Sequence, residues 1–104
     1  MEIKDIIALS REIREQYHAL ERSHHGSEWT VEEDALAFLT DAGLVGRFTM
    51  SQQGRWPSAK TEENLKHKIG ECVWWLAVLA DRMDVDFEQA VEDFLTKTKQ
   101  QLGS

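Results

Sequence analysis

Apolar residues recur along the chain at three- and four-residue steps, the period of an α-helix rather than the alternation of a strand. Ile3, Ile6, Ile7, Ile13, Tyr17 and Leu20 mark a first amphipathic helix. The run Ser23–Ser27 (SHHGS) has loop composition and is expected to end it. Thr30 followed by Glu33 is a capping box, the reciprocal pairing that opens many helices, and it precedes Leu36, Phe38, Leu39 and Val45. Gly43 and Gly46 inside this second segment either weaken the helix or admit a neighbouring one closely.

Ser51–Ser58 (SQQGRWPS), which holds the sole proline, reads as a loop. From about Thr61 to Met83 the helical period returns through Leu65, Ile69, Val73, Leu76 and Leu79. At about 1.5 Å per residue this third helix is roughly 30–35 Å long. Asp84–Asp86 forms a turn, and Asp86 with Gln89 opens a fourth helix whose apolar stripe is Phe87, Ala90, Val91, Phe94, Leu95 and Leu102. The pattern therefore predicts an all-α chain, residues 1–104 forming one four-helix domain without internal repeats.

Trp74 and Trp75 change that picture. Adjacent residues on a helix point about 100° apart, so both indoles cannot face one narrow core stripe. With Val73, Leu76, Val78 and Leu79 beside them, the middle of the third helix is apolar nearly all round. Such a helix is normally enclosed on several sides, and in a small bundle the enclosure comes most easily from a second subunit. The expectation is a homodimer with Trp74 and Trp75 at its interface; the alternative is a monomer with one indole half-exposed.

Composition narrows the function. The chain has 104 residues, 41% hydrophobic and 30% charged, and a net charge of −7. That surplus disfavours binding to a nucleic-acid polymer, which is driven by basic side chains neutralising phosphates. It leaves room for a nucleotide bound through divalent cations. The one cysteine, Cys72, permits neither an internal disulfide nor a CxxC metal motif, and its apolar helical setting suits an inert thiol. The N-terminus lacks the basic-then-apolar form of a signal peptide, and Cys72–Ala80 is far too short to span a bilayer, so a cytoplasmic protein without membrane contact is expected. Phosphate-loop, GxSxG, HExxH and EF-hand motifs are all missing.

The informative residues are acids within apolar stretches. Asp41 follows Leu36, Phe38 and Leu39, and Glu71 lies between Ile69 and Val73. A carboxylate on a core-facing stripe is costly unless it is paired or binds a metal. Glu63, His67 and Glu71 fall at i, i+4 and i+8, on one helix face. Packed against the second helix, that row and Asp41 would form an oxygen-rich site suited to Mg²⁺ or Mn²⁺, with Zn²⁺ admitted if the histidine takes part. The competing reading sends Asp41 and Glu71 to solvent or pairs them with Lys68 and Arg47. His24 and His25, in a polar run, read as a solvated turn.

Asn64–Ala90 (NLKHKIGECVWWLAVLADRMDVDFEQA) and Trp29–Arg47 (WTVEEDALAFLTDAGLVGR) resemble the corresponding helices of the MazG-like nucleotide pyrophosphohydrolases. The resemblance extends from the first helix to about Leu102. It implies a compact, usually dimeric all-α fold in which an E-x-x-E helix and an E-x-x-D helix supply four acids for Mg²⁺. The cations clamp a nucleoside triphosphate, which is cleaved to monophosphate and pyrophosphate. Aligned on Gly43, Asp41 takes the first acid position and Leu44 the second. Aligned on Cys72–Trp75, Glu71 takes the last acid position and Lys68 the first. Phe94 and Thr98 stand where family members often carry lysine and asparagine.

Only Asp41 and Glu71 thus carry over as ligands. Two rescues are open: His67 entering the site with Glu63, or Lys68 contacting a phosphate directly in place of one metal. The resemblance implies a divergent pyrophosphohydrolase using Mg²⁺ or Mn²⁺. The alternative is a non-catalytic MazG-like dimer that binds nucleotide or protein after losing two of four acids.

Overall fold

A computed structural model describes residues 1–103. Four helices and no strand occur among them: α1 (Ile3–His25), α2 (Val31–Gln52), α3 (Thr61–Arg82) and α4 (Phe87–Gln101). Local chemistry accounts for the boundaries. Glu2 and Asp5 form a capping box at the start of α1, and Thr30 with Glu33 forms the expected one at the start of α2. The Asp86 side chain accepts the Gln89 N–H at 2.9 Å and opens α4. α1 runs on through Ser23, His24 and His25, beyond its expected end. It stops only where Gly26 takes a left-handed conformation (φ 78°) and its N–H reaches the Arg22 carbonyl. α2 likewise continues past Ser51 to Gln52.

The loop between α2 and α3 is tied down at both sides. Ser51 Oγ lies 2.6 Å from Thr61 Oγ1 and accepts the Ser58 N–H at 2.9 Å. Arg47 donates to the Trp56 carbonyl at 2.8 Å.

α3 is the spine. It packs against α1, α2 and α4, whereas α1 and α2 have no mutual backbone approach within 8 Å. Among the described residues the buried hydrophobic ones, Trp75, Ala77, Val78, Leu79 and Ala80, all belong to α3. The radius of gyration is 16.3 Å, against about 13 Å for a compact chain of this length. Gly43 and Gly46 face open space, so within one chain they admit no neighbouring helix. No helix is long and apolar enough to cross a membrane among the described residues.

The α1–α2 connection is ionic. Asp34, on the first turn of α2, is fully buried. Arg14 of α1 grips it through Nε (3.2 Å) and Nη2 (2.8 Å), and Arg82 at the end of α3 adds Nη1 at 2.8 Å. Arg14 also bonds Glu21 at 2.8 and 3.3 Å, and Arg82 bonds the Trp29 carbonyl at 2.9 Å. Burial works against the Arg14 charge, yet the bonds to Glu21 and Asp34 outweigh it and raise its pKa. Glu21 also feels burial first, but Arg14 and the Trp29 N–H hold its pKa below the ordinary value.

This arrangement turns α1 around. Its inward stripe is Ser10, Arg14 and His18, all buried, while Leu9, Ile13, Tyr17 and Leu20 are 40–52% exposed. His18 Nε2 has no hydrogen-bond partner among the described residues.

Removing one member of a buried ion network leaves the others uncompensated, at a cost of about 3–5 kcal/mol. Asp34→Ala is therefore expected to lose stability on that scale, whereas Phe94→Ala, at a residue 66% exposed, should change it by about 0.5 kcal/mol or less. Urea midpoints at matched protein concentration check both.

Candidate functional site

Asp41 and Glu71 do converge, and they converge on an ammonium group. Asp41 projects from the middle of α2 and is buried; Glu71 stands one turn after Lys68 on α3. Lys68 Nζ lies 3.0 Å from Asp41 Oδ1 and 2.9 Å from Glu71 Oε1. The second Asp41 oxygen accepts the Trp75 indole N–H at 2.8 Å. The i, i+3 spacing brings Lys68 and Glu71 onto one face, and Trp75, one turn further along, fixes the carboxylate plane of Asp41. Of the two cations suggested by sequence, Lys68 is the partner, and Arg47 is engaged with the loop instead.

The electrostatics are set by these bonds. Burial by itself pushes the Asp41 pKa up, but the Lys68 and Trp75 hydrogen bonds overcome it and set the pKa below 3.8. The bonds to Glu71 and then Asp41 raise Lys68 above 10.5. Lys68 is therefore charged at neutral pH, and the trio carries a net charge of about −1. The neighbouring Cys72 thiol is pushed up, first by burial and then by Asp41 and Glu71, so it stays protonated.

The remaining candidates fall around this trio. His67 Nε2 is 3.7 Å from Glu71 Oε1, but its side chain is 74% exposed. Glu63, His67 and Glu71 line one side of an open cleft of about 590 Å³, whose other walls include Ile13, Tyr17, Gly70 and Trp74. No group of three or more His, Cys, Asp or Glu side chains is disposed to hold a metal among the described residues. Leu44, one turn after Asp41 on α2, offers no donor. As arranged, the donor set fits an ammonium rather than a divalent cation, because Lys68 occupies the point where the two carboxylates meet.

The two tryptophans diverge as their spacing predicts. Trp75 is buried, 4.5 Å from Trp74 between ring centroids, with the Arg14 guanidinium 5.7 Å from its ring centre. Trp74 is half-buried, donates to the Ser10 carbonyl at 3.3 Å and meets Tyr17 at 5.8 Å. A second cleft of about 300 Å³ runs past both indoles to Trp29, His24 and His25, with Arg14 and Glu71 in its wall. His24 and His25 thus border a cavity from the end of α1, rather than sitting in a loop.

Sequence reasoning missed the Asp34–Arg14–Arg82–Glu21 network. Asp34 reads as an ordinary first-turn acid, and Arg14 lies beside an apolar stripe where a solvent-facing side chain is expected. Compared with family models, characterised proteins and solved structures, the chain matches none. The class that fold and site define is an all-α protein with an internal lysine–dicarboxylate knot.

Both ends of the knot can be tested by titration and charge reversal. Asp41 contributes stability that is complete above 3.8 and is lost as pH falls through its depressed native pKa. The gap in urea midpoint between the wild-type chain and Asp41→Asn should therefore be constant near neutrality and close in acid; Lys68, raised, loses its share only as pH climbs beyond 10.5. Lys68→Glu, in turn, places a third carboxylate beside Asp41 and Glu71. That variant should be destabilised alone and regain melting temperature on addition of millimolar Mn²⁺, with no comparable response from the wild-type chain.

Proposed function

We propose that the chain is a non-catalytic MazG-like module, a homodimer that works through binding rather than hydrolysis. The observation carrying this reading is the Lys68 bridge: one fixed ammonium satisfies both surviving acids. A resident divalent cation polarises phosphate oxygens and lowers the pKa of a bound water. An ammonium on a side chain does neither to a comparable degree, and this one has both carboxylates already on it. A trio of net charge about −1 also repels a bare triphosphate. A protein partner is therefore the ligand this site favours over a nucleotide. Homodimer formation accords with the exposed apolar residues of α1.

The convergence of Asp41 and Glu71 on a single point favours one second reading, a divergent pyrophosphohydrolase that cleaves a nucleoside triphosphate with Mg²⁺ or Mn²⁺. It requires Lys68 to swing away, contacting a phosphate or yielding its place to a cation, with Glu63 and His67 as auxiliary ligands. The raised Lys68 pKa counts against it, since the ammonium does not leave by losing its proton near neutrality.

Calorimetric titration of Mg²⁺ and Mn²⁺, with and without a non-hydrolysable triphosphate, separates the two. The module reading expects no saturable heat and no pyrophosphate release from any nucleoside triphosphate. Metal-dependent release at an ordinary enzymic rate, abolished in both Asp41→Ala and Glu71→Ala, would establish the hydrolase instead.

A further inference from the structure

The homodimer proposed above leaves open which face it uses, and α1 supplies the answer. An amphipathic helix normally buries its apolar side. From Leu9 to Leu20 α1 does the reverse: Ser10, Arg14 and His18 turn inward, Arg14 into the buried ion network, and Leu9, Ile13, Tyr17 and Leu20 turn outward. The outward residues repeat at steps of four, four and three and so form one continuous stripe. Ile13 and Tyr17 also form one wall of the cleft of about 590 Å³, opposite Gly70 and Trp74 of α3. The Gly70 position faces open space, where an incoming side chain can descend to the backbone of α3.

The chain as a whole also exposes more area than a compact monomer does. The chain presents 7722 Å² to solvent, whereas a compact monomer of 12.0 kDa presents about 6,000 Å². The excess is about 1,700 Å² per chain, within the range of roughly 1,000–2,500 Å² that each subunit of an obligate homodimer buries.

We infer that a second copy of this chain covers the α1 stripe, with the two α1 helices antiparallel about a two-fold axis near residue 15. The stripe is nearly symmetric about that point. Leu9 then meets Leu20 of the partner subunit, and Ile13 meets Tyr17 of the partner subunit, so each contact is made twice, as an isologous interface requires. Side chains from the partner's α1 fill the cleft and enclose Trp74, while Trp75 stays inside its own subunit. The ion network at Asp34 is what presents this face: polar bonds hold α1 from within and leave its apolar side for the other chain.

Three full-length variants and the wild-type chain test this by sedimentation equilibrium, with circular dichroism as a check on helix content. The wild-type chain should run at twice 12.0 kDa. Ile13→Glu buries two carboxylates at the centre of the interface and should raise the dissociation constant at least about a hundredfold. Phe94→Glu, on the exposed side of α4, should leave the mass unchanged. Leu9→Cys/Leu20→Cys should form an intermolecular disulfide under mild oxidation, a readout that stands even if Ile13→Glu loses helix.

A wild-type monomer would remove both the dimer and this face. A wild-type dimer that survives Ile13→Glu and does not cross-link would overturn the face alone. Dissociation by Phe94→Glu would move the interface to α4.

Discussion

Asp34 is fully buried on α2, and its charge is met by Arg14 from α1 and Arg82 from the end of α3. Taking a carboxylate out of water costs several kcal/mol, a penalty offset only where charge-assisted bonds saturate its lone pairs. Two arginines supply three such bonds here, one of them gripping with two nitrogens. Because α1 and α2 do not approach each other through their backbones, this carboxylate fixes their relative placement. It also sets the orientation of α1: Arg14 must point inward, so Ser10 and His18, one turn away on either side, point inward too. From Leu9 onward the apolar residues of α1 then face outward, whereas Ile3, Ile6 and Ile7 nearer its start are half-buried. Over that later stretch α1 is held by ions and leaves its apolar side exposed.

The Lys68 bridge obeys the same electrostatic rule at a second point. Two helix-borne acids brought within about 3 Å of one position repel each other unless a cation lies between them. A divalent ion and a lysine both meet that requirement, but they differ in the chemistry they permit. The ion has open coordination positions for water and phosphate, whereas the lysine uses its donors on protein carboxylates and is tethered to the same helix as one of them. Lys68 therefore ties α2 to α3 through one acid from each helix and leaves no such position open between them.

Four helices were legible from period and capping: Thr30 with Glu33 and Asp86 with Gln89 are local signals that tertiary structure leaves intact. The ends of α1 and α2 were less so, because His24, His25 and Ser51 are compatible with either state and Gly26 alone decides where α1 stops. The convergence of Asp41 with Glu71 was visible as charge on apolar stripes, and their pairing with Lys68 was among the arrangements the residues allowed. Asp34 and Arg14 gave no such warning. Helical periodicity identifies an amphipathic helix but carries no information on which side faces inward. For α1 that choice rests on a partner twenty residues away, which no local pattern encodes.

The two ionic centres are also joined. Arg14 bonds Asp34 with its edge and lies over the face of Trp75, 5.7 Å from the ring centre. The edge of the same indole donates to Asp41 at 2.8 Å, and Asp41 holds Lys68 with its other oxygen. A guanidinium over an indole face is attractive on the scale of about 0.5–2 kcal/mol, and polarisation within a chain of such contacts strengthens its members. Trp75 thus touches both ionic centres, one through its ring face and the other through its N–H. A continuous polar path therefore links α1, α2 and α3, whereas α4 takes no part in it.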